Sequence, residues 1–450
     1  VAPPGDAGAP SARRGAAWLG LAAVVGGALA LAACAATVPT LYAPATRAGF
    51  PAWMSGPLHG LALGRLSSAR FQGLVLLICG GYVLALFGAR ALSLRAVLIA
   101  VALANLALML GPVLLSQDAF GYVSFARLGA LHGMDPYTHV SADVPGDAVF
   151  RYLGWRNVHS PYGPLFTLGS YALAPLGVGG MIWALKAIAA LTALATAALV
   201  GRAAERLGRS PALAAAFVGL NPVMLVYAVG GAHNDTLLVA LLAAVVLLAA
   251  LGRRGRAAAT LAVAVGIKAS AGLVIPFLVL DPREWRERLR VLLWAGAALA
   301  VVAAVAVVGF GPHATGFVDA LRGQQQIVAT HSVPNEIARL FGQHGTHLPH
   351  GVLALTSGLR TGFTVAFFLV LAVCLVLTAR GAEWTAMAGW ATFALIVSTA
   401  WLLPWYAIWL LPFAAVSRDP KLRAAALALT VYAVLIRLPL AEPVLGGRRS

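Results

Sequence analysis

The sequence predicts an all-α protein built as a polytopic membrane bundle, and three observations carry that prediction. Of its 450 residues 60% are hydrophobic and only 10% charged, against about a quarter charged in soluble domains. Apolar runs of roughly 20 residues, the length an α-helix needs to cross a bilayer, recur along the chain. None of them alternates polar and apolar residues as barrel strands do, so helices must satisfy the backbone inside lipid.

The net charge of +17 could signal a nucleic-acid partner, but its distribution argues against one. Arg202/Arg206/Arg209, Arg253/Arg254/Arg256, Arg283/Arg286/Arg288/Arg290 and Arg418/Lys421/Arg423 each sit between apolar runs. That is where the positive-inside rule puts cytoplasmic turns. Cys34, Cys79 and Cys374 lie in separate apolar runs, which suggests neither a disulfide framework nor a zinc site.

Taken in order, residues 1–16 read as a disordered, Pro/Gly/Ala-rich cytoplasmic tail. The rest, 17–440, reads as a single transmembrane domain followed by a short tail at 441–450. Residues 17–38 leave the cytoplasm, and Leu31-Ala32-Ala33-Cys34 at their end resembles a lipoprotein cleavage box. Segment 39–70 then lies outside, 71–89 returns and 96–115 exits again, delivering Ser116-Gln117-Asp118 to the outer surface. Between 118 and 132 the spacing of Phe120, Val123, Phe125, Leu128 and Leu131 predicts an amphipathic helix along the interface, capped by Ser116. Residues 161–177 are too short and too Pro/Gly-broken to cross, and read as a helix on the outer side. The chain then crosses at 181–200 and 211–229, turns through Gly230-Gly231-Ala232-His233-Asn234-Asp235, and crosses back at 236–251.

Residues 257–280 are flanked by basic clusters on both sides yet cannot cross twice. They read as a short helical hairpin broken at Gly266-Ile267-Lys268, with Lys268 inside a cavity. After a crossing at 291–310 comes a second outer loop, 311–360, with amphipathic pieces at 315–329 and 334–342. Crossings at 361–379, 385–401, 404–417 and 422–440 finish the bundle. The count is about eleven full crossings plus the hairpin, about thirteen helices in all, with the main outer loop at 116–164. All ten histidines (His59, His132, His139, His159, His233, His313, His331, His344, His347 and His350) fall on the outer side. The chemically versatile surface is therefore expected there.

Asp118 is the chemical centre of this reading. An acid where an apolar helix gives way to an outer one is either a general base or a first-turn acid stabilised by the helix dipole. Lys268 and Arg127 are candidates to steady an anion, against a snorkelling lysine and a solvated arginine. Asp135 precedes Pro136 and suits a turn as well as a ligand. Gln117, Tyr122, Tyr137, His159 and Tyr162 belong to the same loop and can bind substrate hydroxyls. His233, Asn234 and Asp235 form a second polar turn, where capping of the following helix is the competing role for Asp235. Asp118 and Asp235 can share a divalent cation if the fold brings them together. The run His344-Gly345-Thr346-His347-Leu348-Pro349-His350 is not read as a metal site, because Gly345 and Pro349 break any helix that would align the rings. Trp401, Trp405, Tyr406 and Trp409 suit an interfacial belt, with packing on a prenyl chain as the alternative.

In order, the stretches SQDAFGYVSFARLGALHGMDPYTH, HSPYGPL, NPVMLVYAVGGAHND, GIKASAGLVIPFLVL and PWYAIWLLP resemble the GT-C superfamily of polyprenol-phosphate-sugar-dependent glycosyltransferases. The nearest resemblance is to the actinobacterial MptB-type α-(1→6)-mannosyltransferases, from about residue 96 to about 415. The resemblance implies a plasma-membrane enzyme with a GT-C-like bundle, a cytoplasmic N-terminus and an extracytoplasmic site. It also implies a polyprenyl-phosphate-mannose donor, a lipid-anchored or cell-wall glycan acceptor, and inverting transfer. The family's loop acid falls on Asp118, and its acid-before-proline element resembles Asp135-Pro136-Tyr137. Two other readings stay open: a transporter or flippase of lipid-linked sugars, and the same enzyme class with another sugar such as arabinofuranose. A transporter would favour internal repeats and midplane polar sites, and no repeat is visible.

Overall fold

A computed structural model describes residues 8–37, 40–43, 49, 51–61, 63–326, 331–340, 350–436 and 438. Every regular element among them is helical. Helix α1 (Gly8–Thr37) packs on α2 (Ser68–Gly88) and α3 (Leu94–Met109). The contact between α1 and α2 is close because Gly20 meets Gly81 and Ala85; a Cβ at Gly20 would strike their backbone, the small-residue device by which helices associate in lipid. After α4 (Asp118–His132) and the short α5 (Pro164–Tyr171) comes α6 (Gly177–Arg206), against which α3, α7 (Pro211–Gly219) and α8 (Asp235–Ala250) pack. Between α7 and α8 the chain passes through π-helical turns at Val223–Val229, bent by 43° from α7.

Helix α9 (Arg254–Ile267), a 3₁₀ stretch (Ala269–Val274) and α10 (Ile275–Leu280) form the broken hairpin. Its partner is α11 (Trp285–Phe310). Two short helices follow, α12 (Gly316–Gln326) and α13 (Val333–Leu340). The chain ends through α14 (His350–Ala379), α15 (Trp384–Ser398), a 3₁₀ stretch (Pro404–Leu410), α16 (Leu411–Val416) and α17 (Pro420–Leu435).

Five helical stretches among the described residues are long and apolar enough to cross a membrane, and the bent pair makes a sixth. They lie at 11–37, 68–91, 174–206, 285–313 and 358–379. Shorter apolar helices stand at 94–109, 235–250, 269–280, 384–398 and 404–416. The last spans only 13 residues, fewer than the roughly 20 a perpendicular crossing takes. Along α11 apolar side chains stay uncovered, Val308 at 89%, as suits a helix whose outer side meets lipid rather than water.

Four expectations are corrected. The N-terminal tail begins its helix at Gly8, so residues 8–16 extend α1 backwards. The third apolar run stops being helical at Met109, not near 115, because Gly111 and Pro112 follow; proline disfavours helix in the residue before it. Helix α4 is not a surface helix with one wet face: Ala119, Phe120, Tyr122, Val123, Ser124, Phe125, Ala126 and Leu128 are all buried, because the 140–153 loop and α6 cover it. Lastly, the apolar run at 404–417 opens with 3₁₀ turns over Pro404–Leu410 and becomes α-helical only at Leu411–Val416. Residues 1–7, the His344–Pro349 part of the histidine run and the tail at 441–450 lie outside the described residues.

The two ends of the bundle differ chemically. At one end Glu383 accepts from Arg209 (2.7 Å) and from the Arg418 backbone (3.0 Å), and Arg254 pairs with Asp281 at 2.9 Å. At the other end α8 starts at Asp235, α9 breaks at Lys268 and α4 starts at Asp118. A cavity opens where these three meet.

Candidate active site

The first wall is a strap, residues 110–117, between α3 and α4. Lys186 of α6, wholly buried, donates to the carbonyls of Leu108 (3.0 Å) and Pro112 (3.2 Å). It thereby supplies hydrogen-bond donors to carbonyls at and just beyond the C-terminal end of α3. The Leu114 N–H donates to Gly230 and the Leu115 N–H to Tyr42, both at 2.8 Å. Leu115 takes a left-handed φ of 63°, unfavourable for a branched side chain. The strap ends with Ser116 Oγ accepting from the Asp118 N–H at 3.1 Å and Gln117 Nε2 donating to the Tyr152 carbonyl at 3.2 Å. Asp118 then opens α4 at its positive end with its side chain 18% exposed.

The second wall is the turn before α8. Ala232 also has a left-handed φ, 54°, and brings His233 back over the strap. Nδ1 of His233 stands 3.5 Å from Asp118 Oδ2 and 3.5 Å from the Tyr122 hydroxyl, while its ring stacks on Trp405 at 3.6 Å. The Tyr122 hydroxyl donates to Asn234 Oδ1 (3.3 Å) and accepts from the Asn234 N–H (3.4 Å). Burial, reinforced by Tyr162, Asp118 and Asp235, pushes the Tyr122 phenol well above its ordinary value. Tyr162 is raised likewise, by burial first and by Asp118 next. Both rings are therefore neutral hydrogen-bond donors beside the acids.

The third wall is the hairpin break. Lys268 is extended (φ −150°, ψ 119°), so its side chain leaves the helix line. Its Nζ pairs with Asp235 Oδ1 at 2.6 Å and lies 4.8 and 4.9 Å above the Tyr406 and Trp409 rings. Trp409 Nε1 donates to the same carboxylate oxygen at 2.6 Å. The loop before α5 docks on this break: the Gly163 N–H donates to the Ile267 carbonyl at 3.0 Å, and a Cβ at Gly163 would strike the Gly266 carbonyl. The motifs PYGPL and GIK, remote in sequence, are thus one contact.

Together these walls enclose a cavity of about 420 Å³ lined by Gln117, Asp118, Tyr122, Tyr162, Asp235 and Lys268, with Trp405 and Tyr406 on the facing side. His233 and Asn234 stand behind it. Among the described residues no group of three or more His, Cys, Asp or Glu side chains is arranged to hold a metal ion.

Four sequence candidates lie elsewhere. Arg127 is bound to Asp147 at 2.9 Å, which His132 also contacts at 2.7 Å. Burial alone would raise the Asp147 carboxyl, but hydrogen bonds from Arg127 and His132 outweigh it and hold the group below its ordinary value. Asp135 accepts from the Tyr137 N–H (2.8 Å) and meets His313 (3.2 Å). The Tyr137 hydroxyl donates to the Tyr162 carbonyl (2.8 Å). Tyr137 and His159 line a separate cavity.

Lys186 and His331, which also lines the cavity, are not among the sequence candidates, and the aromatics of PWYAIW are read from sequence first as an interfacial belt, with packing on a prenyl chain as the alternative. A lysine inside an apolar 30-residue helix was the available signal, because intramembrane ionisable residues are costly.

A family model described as "Alpha-(1->6)-mannopyranosyltransferase, N-terminal domain" matches residues 17–282, which include the strap, the 230–235 turn and Lys268. The chain is 30% identical over 377 residues to alpha-(1->6)-mannopyranosyltransferase A of Mycobacterium tuberculosis, covering 75% of this chain and 69% of that protein. It is 34% identical over 172 residues to the enzyme of the same name from Corynebacterium glutamicum, covering 37% of this chain and 34% of that protein.

Proposed function

Since the chain belongs to the α-(1→6)-mannopyranosyltransferase family, we propose that it transfers mannose from a polyprenyl-phosphate-mannose donor to a lipid-anchored or cell-wall glycan outside the plasma membrane. Asp118 is the general base. It takes the proton of the acceptor's primary hydroxyl while that oxygen bonds to the anomeric carbon. The bond from this carbon to the phosphate oxygen breaks, and the electron pair leaves with the polyprenyl phosphate. Attack opposite the leaving group inverts the anomeric centre. The observation that carries this reading is the partly exposed Asp118 carboxylate on a cavity it shares with Lys268.

The neighbouring groups have parts to play. Tyr122, Asn234 and His233 hold the wall from which Asp118 acts. Lys268 spends one N–H on Asp235 and has two more for the departing phosphate, whose growing charge a placed cation stabilises. Because Lys268 and Asp235 neutralise each other, the apo cavity does not carry an unpaired buried lysine. Trp405 and Tyr406 give the donor's first isoprene units an aromatic surface. In this reading the shorter apolar helices complete the crossings, giving about eleven plus the hairpin, with the basic turns cytoplasmic and the cavity outside.

The test is Asp118→Asn in membranes supplied with polyprenyl-phosphate mannose. The variant is expected to insert normally and to lose transfer by about a hundredfold or more, as removal of a general base does. Near-normal transfer would refute the assignment. The broken hairpin favours one other reading, a transporter of lipid-linked sugars. Vesicle reconstitution separates the two, because movement of donor without a new glycosidic bond would mean transport.

A further inference from the structure

Asp135, Tyr137 and His159 stand out in the sequence and are not taken up by the catalytic cavity. Tyr137 and His159 border a second, outer cavity of about 530 Å³, held between the 137–159 part of the first outer loop and residues 312–323 of the second, and Asp135 stands behind it against His313. Its walls carry Thr138, Asn157, His159, His313, Thr315 and Asp319, which are hydroxyl, amide, imidazole and carboxylate groups. Among the described residues no lysine or arginine lines it. Such a surface offers both donors and acceptors to neutral hydroxyls, and the Arg322 guanidinium beside it is paired with Asp319 at 3.0 Å.

The two cavities adjoin. Val158 lines both, and the facing walls continue one another on α12, where Ala320 borders the outer cavity and Leu321 the catalytic one. They are also tied mechanically. Tyr137, on the floor of the outer cavity, donates its hydroxyl to the carbonyl of Tyr162, a wall of the catalytic one. Asp135 holds this corner, with one oxygen on the Tyr137 N–H and the other at His313.

We propose that the outer cavity is a subsite for the acceptor chain: it holds the neutral sugar residues that lie behind the one being elongated. This rests on the transferase reading above and adds that the enzyme measures acceptor length. A terminal sugar alone fills the catalytic cavity, whereas a longer chain also gains hydrogen bonds along Thr138, Asn157 and Asp319.

The test uses the full chain in detergent, with polyprenyl-phosphate mannose and two acceptors on one aglycone, a single mannose and a longer α-(1→6)-linked oligomannose. The wild type is expected to favour the longer acceptor in kcat/KM. A Thr138→Ala/Asn157→Ala variant is expected to reduce that preference about fivefold to tenfold, the worth of one or two neutral hydrogen bonds. Thr315→Trp, which fills the groove, is expected to reduce it as well. Because the readout is a ratio within one preparation, partial loss of folded enzyme does not mimic it. A wild type indifferent to length, or variants that keep the preference, would overturn the subsite while leaving Asp118 untouched. If the wild type elongates neither acceptor, the transferase reading fails first and the subsite with it.

Discussion

Arg127 and Asp118 share one helix and face opposite ways. Nine residues are two and a half α-helical turns, and a half-integer number of turns puts two side chains on opposite faces. That arithmetic sends Arg127 away from the cavity to Asp147, where it also meets the reach of His132. The cluster makes a prediction for pH. Asp147 is held below its ordinary carboxyl value, so it binds protons more readily unfolded than folded. Its stabilising contribution is therefore full above the unfolded value near 3.8 and is lost as the pH falls through the lower, folded one. Asp147→Asn is expected to cost about 1–3 kcal/mol at neutral pH and to flatten the acid limb of thermal stability. Melting curves of both proteins across the acid range check this. An unchanged acid limb would mean that another carboxylate sets it.

At the scale of the element, the strap between α3 and α4 decides where the acid stands. It has no hydrogen-bonded repeat of its own, carries a strained Leu115, and is fastened at Lys186, Gly230 and Tyr42. Lys186 is a positioning residue, since it touches no cavity-lining group of the catalytic site and acts through the carbonyls of Leu108 and Pro112. Lys186→Met keeps the volume and removes the donor. It is expected to lower kcat per folded enzyme by a factor on the order of ten to a hundred, the scale of a misplaced catalytic group, with the donor KM within about twofold. Lys186→Gln, which can still donate to a carbonyl, should recover part of the loss. If thermal-shift and activity losses simply track each other, the residue only supports the fold. The hairpin break works in the same way: Gly163 closes on the backbone of Gly266 and Ile267 only because it brings no Cβ to the contact.

For the whole molecule the division of labour runs along the bundle axis, with ion-paired basic turns at one end and the cavity of Asp118, Asp235 and Lys268 at the other. Glu383 joins the turns before α7, α15 and α17 by accepting from Arg209, Thr385 and the Arg418 backbone. Glu383→Ala is expected to lower the melting temperature by several degrees, as loss of a partly buried hydrogen-bonded pair does, and to leave acceptor-length preference unchanged; a shift in that preference would tie the two ends together. Much of this plan was legible in the chain. Apolar runs of bilayer length, interrupted by arginine-rich turns, are a local signal, because lipid demands that each segment satisfy its own backbone. The break at Lys268 and the amphipathic pieces expected at 315–329 and 334–342, which are helical at 316–326 and 333–340, could also be read from composition and spacing. The site was legible only in part. Asp118, Asp235 and Lys268 announce themselves as ionisable groups in apolar surroundings, but Lys186 binding the strap, Trp405 and Tyr406 lining the cavity and Tyr137 with His159 lining a second one could not be read that way. The sequence by itself determined a helical membrane bundle, its charged and polar ends, and which residues were chemically expensive. Only the tertiary structure decided which of those residues meet, because a contact between residues 118 and 233, or 163 and 267, depends on how helices and strap are laid against one another, and no periodicity along the chain records that.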